Sequence, residues 1–209
     1  MAKKEENHIE LSYKGTSAAQ MRFFENAEIE KGAFHLCDST GHINGQGRFP
    51  LSCMRFGRVS AGGTACEIIA VYNVLADLKR PMKLAELIFC AEALGYLFLF
   101  GAFGTKISKI GALLEKLGVP FERIKCKDFL KGDFEEGSIF IVTVRNNARL
   151  PVSSLHTFEI VKKEGQWLVY NRFNESESSL VYGNLKDILI NGNTTAAYYC
   201  VYRILSERQ

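Results

Sequence analysis

The hydrophobic pattern of the chain changes at Gly118, and this change constrains the fold more than any other feature. Before Gly118, apolar residues recur at the spacing of amphipathic helices, as in the stretch from Leu84 to Leu94. After Gly118, segments rich in Ile, Val, Phe and Tyr indicate β-strands. Helices in the first half and a largely antiparallel sheet in the second half predict an α+β domain. The predicted strands are residues 120–125, 138–145, 156–163, 166–173 and 197–204.

The first half contains several predicted helices and one long irregular segment. The first helix covers residues 17–30, with Met21 and Phe24 facing inward. The stretch from Gly32 to Gly63 holds seven glycines and is therefore expected to be irregular, and either functional or packed over a groove. A hairpin turn is expected at Glu164-Gly165. Further helices are predicted over residues 64–78, 81–94, 110–117 (with Gly118 as its stop) and 184–190.

Length and composition exclude several classes of protein. The 209 residues, 47% of them hydrophobic, are enough for one sizeable core, possibly with an added subdomain. The net charge of +3 comes without a basic stripe, so we expect no nucleic-acid partner. The start of the chain lacks the apolar core of a secretory signal. Residues 84–104 are apolar but contain Glu86 and Glu92, so we expect no membrane span and a cytoplasmic protein.

The six cysteines show no Cys-x-x-Cys pair and no spacing typical of zinc ligands. We therefore expect reduced thiols rather than a disulfide framework, and no metal or other cofactor. A special cysteine must then be recognised by its surroundings.

Cys66 has such surroundings. Thr64 followed by Glu67 has the pattern of a capping box, which predicts that a helix starts here with Cys66 in its first turn. Free N–H groups and the positive end of the helix dipole stabilise a thiolate at that position. The alternative is that Cys66 is a small buried hydrophobic residue, since free cysteine is among the most buried residue types.

A catalytic cysteine needs a base, and His156 is the best-placed histidine. It opens a predicted strand, and Asn171 ends the next one, so a hairpin would bring both to one edge of the sheet. Asn171 would then orient the imidazole. His156 could equally be a half-exposed strand histidine, and Asn171 a turn residue with Asn174 or the backbone in its place. The other histidines are expected in a solvated tail (His8) or in the irregular segment (His35 and His42).

The order of these parts resembles the papain-like cysteine peptidase fold, and more narrowly the bacterial C39-like peptidases. The resemblance rests on Cys66 with the helix EIIAVYNVL, on His156 in LHTFEIV and on Asn171 in LVYNRFN, with GTKISKIGALLEKLGV between them. It covers about residues 60–175. It implies N-terminal helices packed on a C-terminal antiparallel sheet, with residues 60–209 as the catalytic-type domain and residues 1–59 as an extension packed on it.

The resemblance also implies an activity. Cys66, His156 and Asn171 would form a triad that cleaves a peptide or amide bond, or transfers its acyl group. Ser60 stands where the family has a glutamine that donates to the oxyanion, and Gln46 is far upstream. Glu67 stands where a glycine often follows the nucleophile, and Asn171 where the C39-like enzymes more often have Asp. The implied substrate groove includes Gly63, Thr64 and Leu155.

Two other interpretations fit the same sequence. One is a catalytically inactive module of the same fold that binds peptides or a partner protein. The missing glutamine favours it, as does the aromatic segment 96–103, which is able to line a groove. The other is an α+β domain of another type with scattered cysteines.

Overall fold

The computed structural model of the chain describes residues 16–33, 36–97, 106–149 and 154–205. Short 3₁₀ helices cover Ile107–Lys109 and Asp187–Leu189. No helix among the described residues is long and apolar enough to cross a membrane. The α-helices of this part of the chain are α1 (Ser17–Gly32), α2 (Ala61–Thr64), α3 (Cys66–Asp77), α4 (Leu84–Ala93), α5 (Ile110–Lys116) and α6 (Cys126–Phe129).

The second half of the chain forms a six-stranded antiparallel sheet with the order β3-β10-β4-β5-β6-β7. The expected α+β architecture is therefore confirmed, with helices first and the sheet after them. Two short hairpins, β1-β2 and β8-β9, lie outside this sheet. The strands are β1 (Arg55–Phe56), β2 (Val59–Ser60), β3 (Phe121–Ile124), β4 (Ile139–Arg145), β5 (Leu155–Lys163), β6 (Gln166–Tyr170), β7 (Leu180–Tyr182), β8 (Ile190–Asn191), β9 (Thr194–Thr195) and β10 (Ala197–Ile204).

The sheet has an apolar cluster on each face. α3 packs against β4 and β5, α4 packs on α3, and α1 packs on α4. The opposite face is covered by Phe129 of α6 and by Leu185 and Ile188. The described part of residues 1–59 joins the helical cluster rather than forming a core of its own. Its fully or nearly fully buried members there are Ile43, Leu51, Met54 and Phe56.

The strands and turns that the sequence predicts from Gly118 onward are confirmed. Each of the five predicted strands is present, and Glu164-Gly165 turns with φ of 53° and 73°, the positive pair typical of a tight hairpin turn. Gly118 stops α5 with φ of 63°. β7 was not predicted, because three residues are too few to show an alternating pattern. The helix predicted over 184–190 is only the 3₁₀ turn Asp187–Leu189.

The predicted inward face of α1 is wrong. Met21 and Phe24 are 63% and 66% exposed, whereas Ala19 and Asn26 are buried. The Asn26 side chain donates to the Arg55 carbonyl and accepts from the Arg55 N–H, both at 2.8 Å. A polar anchor, rather than apolar periodicity, therefore fixes which side of α1 faces the protein.

The predicted capping box at Thr64 is also wrong. Thr64 is the last residue of α2, and its hydroxyl donates back to the Ser60 carbonyl at 3.0 Å. The N-cap of α3 is Ala65, which makes no side-chain capping bond. Threonine hydroxyls often bond a carbonyl four residues back, and here that bond competes with the cap. The expected start of the helix at Cys66 is nevertheless confirmed.

Candidate functional site

Cys66 is the first residue of α3 and is 8% exposed. Its thiol donates to Oε2 of Glu67 at 3.3 Å. Burial raises the pKa of the thiol well above its ordinary value, and the Glu67 carboxylate raises it further. The N–H groups of Thr157 and Glu67 reach the sulfur and lower the pKa, but by less. The resting thiol is therefore protonated, because burial outweighs the stabilisation expected at a helix start.

Thr157 is the residue through which Cys66 meets the sheet. β6 pairs with β5 from Glu159 onward, opposite Tyr170, and the chain leaves the ladder at Asn171. Thr157 lies beyond this end of the β5-β6 ladder, and its backbone is close enough to Cys66 to lower the pKa of the thiol. Since Thr157 directly follows His156, the structure brings Cys66 to the segment of β5 that carries the histidine.

The His156 ring is held by the backbone of Asn171. Its Nε2 lies 2.7 Å from the Asn171 carbonyl oxygen, and a carbonyl only accepts. The neutral ring therefore carries its proton on Nε2 and its lone pair on Nδ1. Burial lowers the pKa of His156 to about 4, with a smaller contribution in the same direction from Arg172. At neutral pH, Nδ1 is thus unprotonated and able to accept a proton.

The Asn171 side chain does not contact His156. Its Oδ1 accepts from the Gln46 N–H at 3.0 Å, and its Nδ2 donates to Oε1 of Gln46 at 2.9 Å. Its own N–H donates to Oδ1 of Asn44 at 2.9 Å. Asn171 has φ of 56°, a conformation that asparagine tolerates better than most residues. The orienting group is therefore the backbone of Asn171, one of the alternatives to its side chain that the sequence left open.

Asn44 and Gln46 are site residues that sequence reasoning missed. They lie in the glycine-rich irregular segment and reach Asn171 across more than a hundred residues of sequence. No local pattern pairs such distant polar residues. The available signal was only that this long irregular stretch was expected to be functional or packed over a groove.

Among the described residues, no hydrogen bond joins the Cys66 thiol to the His156 ring. Side chains alternate along a strand, so His156 lies on the same face of β5 as Phe158, and their ring centroids are 5.8 Å apart. Phe158 belongs to the apolar cluster opposite α3. The structure thus joins His156 to Asn171 and places Cys66 against the next residue of β5.

The other predicted site residues lie near the surface. The Ser60 hydroxyl donates to the Ser52 carbonyl at 2.8 Å and accepts from the Gly62 N–H at 3.2 Å, which caps α2. Gly63 is exposed, Thr64 is half-buried, and Leu155 is 39% exposed. Their roles in an oxyanion hole and a substrate groove stay predictions. His8, His35 and most of the aromatic segment (98–103) lie outside the described residues.

A cavity of about 400 Å³ lies beside the segment that holds Asn171. Asn44, Arg48 and Phe49 are among its lining residues, and the predicted groove residues are not.

All six cysteines are free, as expected. Searches against protein family models and against curated protein sequences find no match for this chain.

Proposed function

We propose that the protein is a cysteine-nucleophile enzyme that hydrolyses a peptide or amide bond, or transfers its acyl group. One observation carries the proposal: Cys66 begins a buried helix that packs on β5, and it lies beside Thr157, the residue that follows His156. A thiol at a helix start and an imidazole of fixed tautomer on the adjoining strand are the two groups that nucleophilic catalysis requires. The chemistry has no need of a metal or other cofactor.

In the proposed reaction, the Cys66 sulfur bonds to the substrate carbonyl carbon while the thiol proton moves to Nδ1 of His156. The carbonyl π electrons move to oxygen and then return as the carbon–nitrogen bond breaks. The leaving amine takes the proton from Nδ1, which leaves a thioester on Cys66. Water or a second amine then attacks the thioester and gives a proton to Nδ1 of His156, the carbon–sulfur bond breaks, and that proton passes to the Cys66 sulfur as the acid or new amide leaves. In the resting structure the Asn171 carbonyl accepts Nε2–H, which leaves Nδ1 as the atom that takes the proton.

Glu67 sets the resting state in this scheme. Its carboxylate accepts a hydrogen bond from the Cys66 thiol and raises the pKa of that thiol. The bond to Glu67 must therefore break, and the His156 side chain must move from the far face of β5 to within reach of the sulfur, before the proton can transfer. Because the resting thiol is protonated and only 8% exposed, its reactivity toward unrelated electrophiles is low.

The proposal is tested by following acylation of the protein with p-nitrophenyl acetate by mass spectrometry. Cys66 is expected to be acylated faster than Cys53, an exposed cysteine of the same chain. His156→Gln removes the base and should slow acylation of Cys66 by about 10²–10⁴-fold. Glu67→Gln removes a charge that raises the thiol pKa and should speed it. Acylation of Cys66 no faster than that of Cys53, or unchanged in His156→Gln, would contradict the proposal.

A non-catalytic binding module on the same fold is the second candidate. The observation that favours it is the hydrogen bond from the buried Cys66 thiol to Glu67, without one to His156 among the described residues. In that case Cys66 stays unmodified by the ester, while peptides from a random library bind the folded protein.

A further inference from the structure

Three potential metal ligands converge at the end of α3 farthest from Cys66. His42 comes from the irregular segment, Asp77 is the last residue of α3, and Glu159 lies in β5. Nε2 of His42 is 3.1 Å from Oδ1 of Asp77 and 3.9 Å from Oε2 of Glu159. The ligand atoms of all three residues lie within 4.8 Å of one another.

Four polar atoms of these three side chains are buried without a hydrogen-bond partner among the described residues. His42 is 3% exposed and Glu159 is fully buried. Among the described residues, Nε2 of His42, Oδ2 of Asp77 and both carboxylate oxygens of Glu159 accept or donate no hydrogen bond. Burying unpaired carboxylates costs several kcal/mol each, so a cation or a proton must compensate them.

The tautomer of His42 points to a cation. The Thr40 hydroxyl donates to Oδ1 of Asp38 at 2.6 Å, so its oxygen is left to accept from Nδ1–H of His42 at 2.8 Å. The neutral ring then presents the lone pair of Nε2 to the two carboxylates. A lone pair facing carboxylate oxygens is repulsive, so either a metal ion or a proton lies between them, the latter as in an ion pair of His42 with Asp77 at 3.1 Å. A metal-binding histidine whose other nitrogen donates to an outer partner has this arrangement.

We propose that His42, Asp77 and Glu159 bind a divalent transition-metal ion of the Zn²⁺ class. One imidazole and two carboxylates are ligands that such ions accept, and three protein ligands leave a fourth position for water. Zn–ligand bonds of about 2.0–2.2 Å in a tetrahedron separate neighbouring ligand atoms by about 3.4 Å. The two distances from Nε2 of His42 lie on either side of that value. The Asp77 side chain, 20% exposed, gives the ion access from solvent.

The ion would connect three parts of the fold. His42 is two residues from Asn44, which bonds Asn171, and Asp77 and Glu159 lie on the same helix and strand as Cys66 and Thr157. Tyr170 stacks on the His42 ring at 3.9 Å and closes the site from another side. The site is thus expected to fix the segment that contacts Asn171.

The competing occupant is a proton shared by the two carboxylates. Burial and the nearby Asp77 charge raise the pKa of Glu159, which favours a protonated Glu159 when no metal is bound. The two possibilities are distinguished by titrating Zn²⁺ into protein freed of metal by a chelator, because only a metal site binds the added Zn²⁺.

The test is calorimetric titration of Zn²⁺ into the full chain, with thermal unfolding followed in parallel. The wild type is expected to bind one equivalent and to unfold at a higher temperature with Zn²⁺. Glu159→Gln should weaken binding by at least about 10–100-fold, the loss that follows removal of even an outer-shell partner. Glu164→Gln, which removes a carboxylate from an exposed turn, is the matched control and should bind as the wild type does.

Asp77→Asn provides a second ligand variant at a partly exposed position, in case Glu159→Gln fails to fold. Co²⁺ substitution should give ligand-field bands without a thiolate charge-transfer band, because no cysteine belongs to the site. Zn²⁺ affinity unchanged in the folded ligand variants, a thiolate band, or no binding by the wild type would overturn the proposal. Any of these results would leave the cluster as a proton-sharing group.

Discussion

At the scale of single residues, His156 combines a fixed tautomer with an unfavourable site for charge. The Asn171 carbonyl accepts Nε2–H, while burial and the neighbouring Arg172 disfavour the imidazolium. A base with a pKa of about 4 is weak, so the proposed proton transfer requires the thiolate–imidazolium pair to be stabilised as it forms. The residue type was predictable from sequence, but its burial was not, since burial depends on what packs over the start of β5.

The depressed pKa of His156 makes stability depend on pH. The unfolded chain binds a proton near pH 6.5 and the folded chain only near pH 4, so the contribution is complete above pH 6.5 and is lost as pH falls to 4. The shift corresponds to about 3 kcal/mol of unfolding free energy. His156→Gln keeps an N–H donor but does not titrate.

This pH effect is measured by urea unfolding of the wild type and of His156→Gln at several values between pH 7 and pH 4. The wild type should lose about 3 kcal/mol more than the variant across this range. Carboxylates titrate in both proteins and cancel in the comparison. Parallel stability curves for the two proteins would contradict the assigned burial of the ring.

At the scale of secondary-structure elements, periodicity predicted α3, α5 and the main strands because each buries one face or a continuous run. The inward face predicted for α1 and the capping box predicted at Thr64 are wrong, because the Asn26 amide and the Thr64 hydroxyl decide the geometry there. The candidate site divides in the same way. The sequence placed Cys66 and His156 on their elements, but the contacts of Asn171 with the irregular segment are long-range and polar.

The end of β6 offers a prediction of this kind. Asn171→Ala removes two hydrogen bonds to Gln46 and puts alanine, which tolerates positive φ less well than asparagine, at this position, so it should cost about 3–4 kcal/mol of unfolding free energy. Asn171→Gly loses the same bonds without the strain and should cost about 1 kcal/mol less. Urea unfolding measures both.

The exposed Asn174 gives the matched control for these variants, since Asn174→Ala should change stability by less than about 0.5 kcal/mol. Equal losses of unfolding free energy in Asn171→Ala and Asn171→Gly would show that the positive φ does not strain alanine at this position. A loss in Asn174→Ala as large as in Asn171→Gly would show that Asn171 is an ordinary turn residue.

At the scale of the whole molecule, the described part of the first 59 residues is bound to the rest by buried polar contacts as well as by the shared core. Glu92 in α4 is the centre of one such group. Both oxygens of its carboxylate share the Nε–H of Arg22, and Oε2 also accepts from Nη2 of Arg22. Oε1 accepts the Gly57 N–H at 2.7 Å. One side chain therefore joins α1, the β1-β2 hairpin and α4.

Because this group links the extension to the helices, its loss should weaken the molecule as one unit. Glu92→Gln leaves the Arg22 guanidinium, 19% exposed, beside a neutral amide, and should cost about 2–4 kcal/mol. Glu86→Gln on the same helix is half-buried and should cost less than about 0.5 kcal/mol. In thermal unfolding followed by circular dichroism, Glu92→Gln should show one transition at a lower midpoint. Two separate transitions, with only the first displaced, would mean that residues 1–59 unfold as an independent extension.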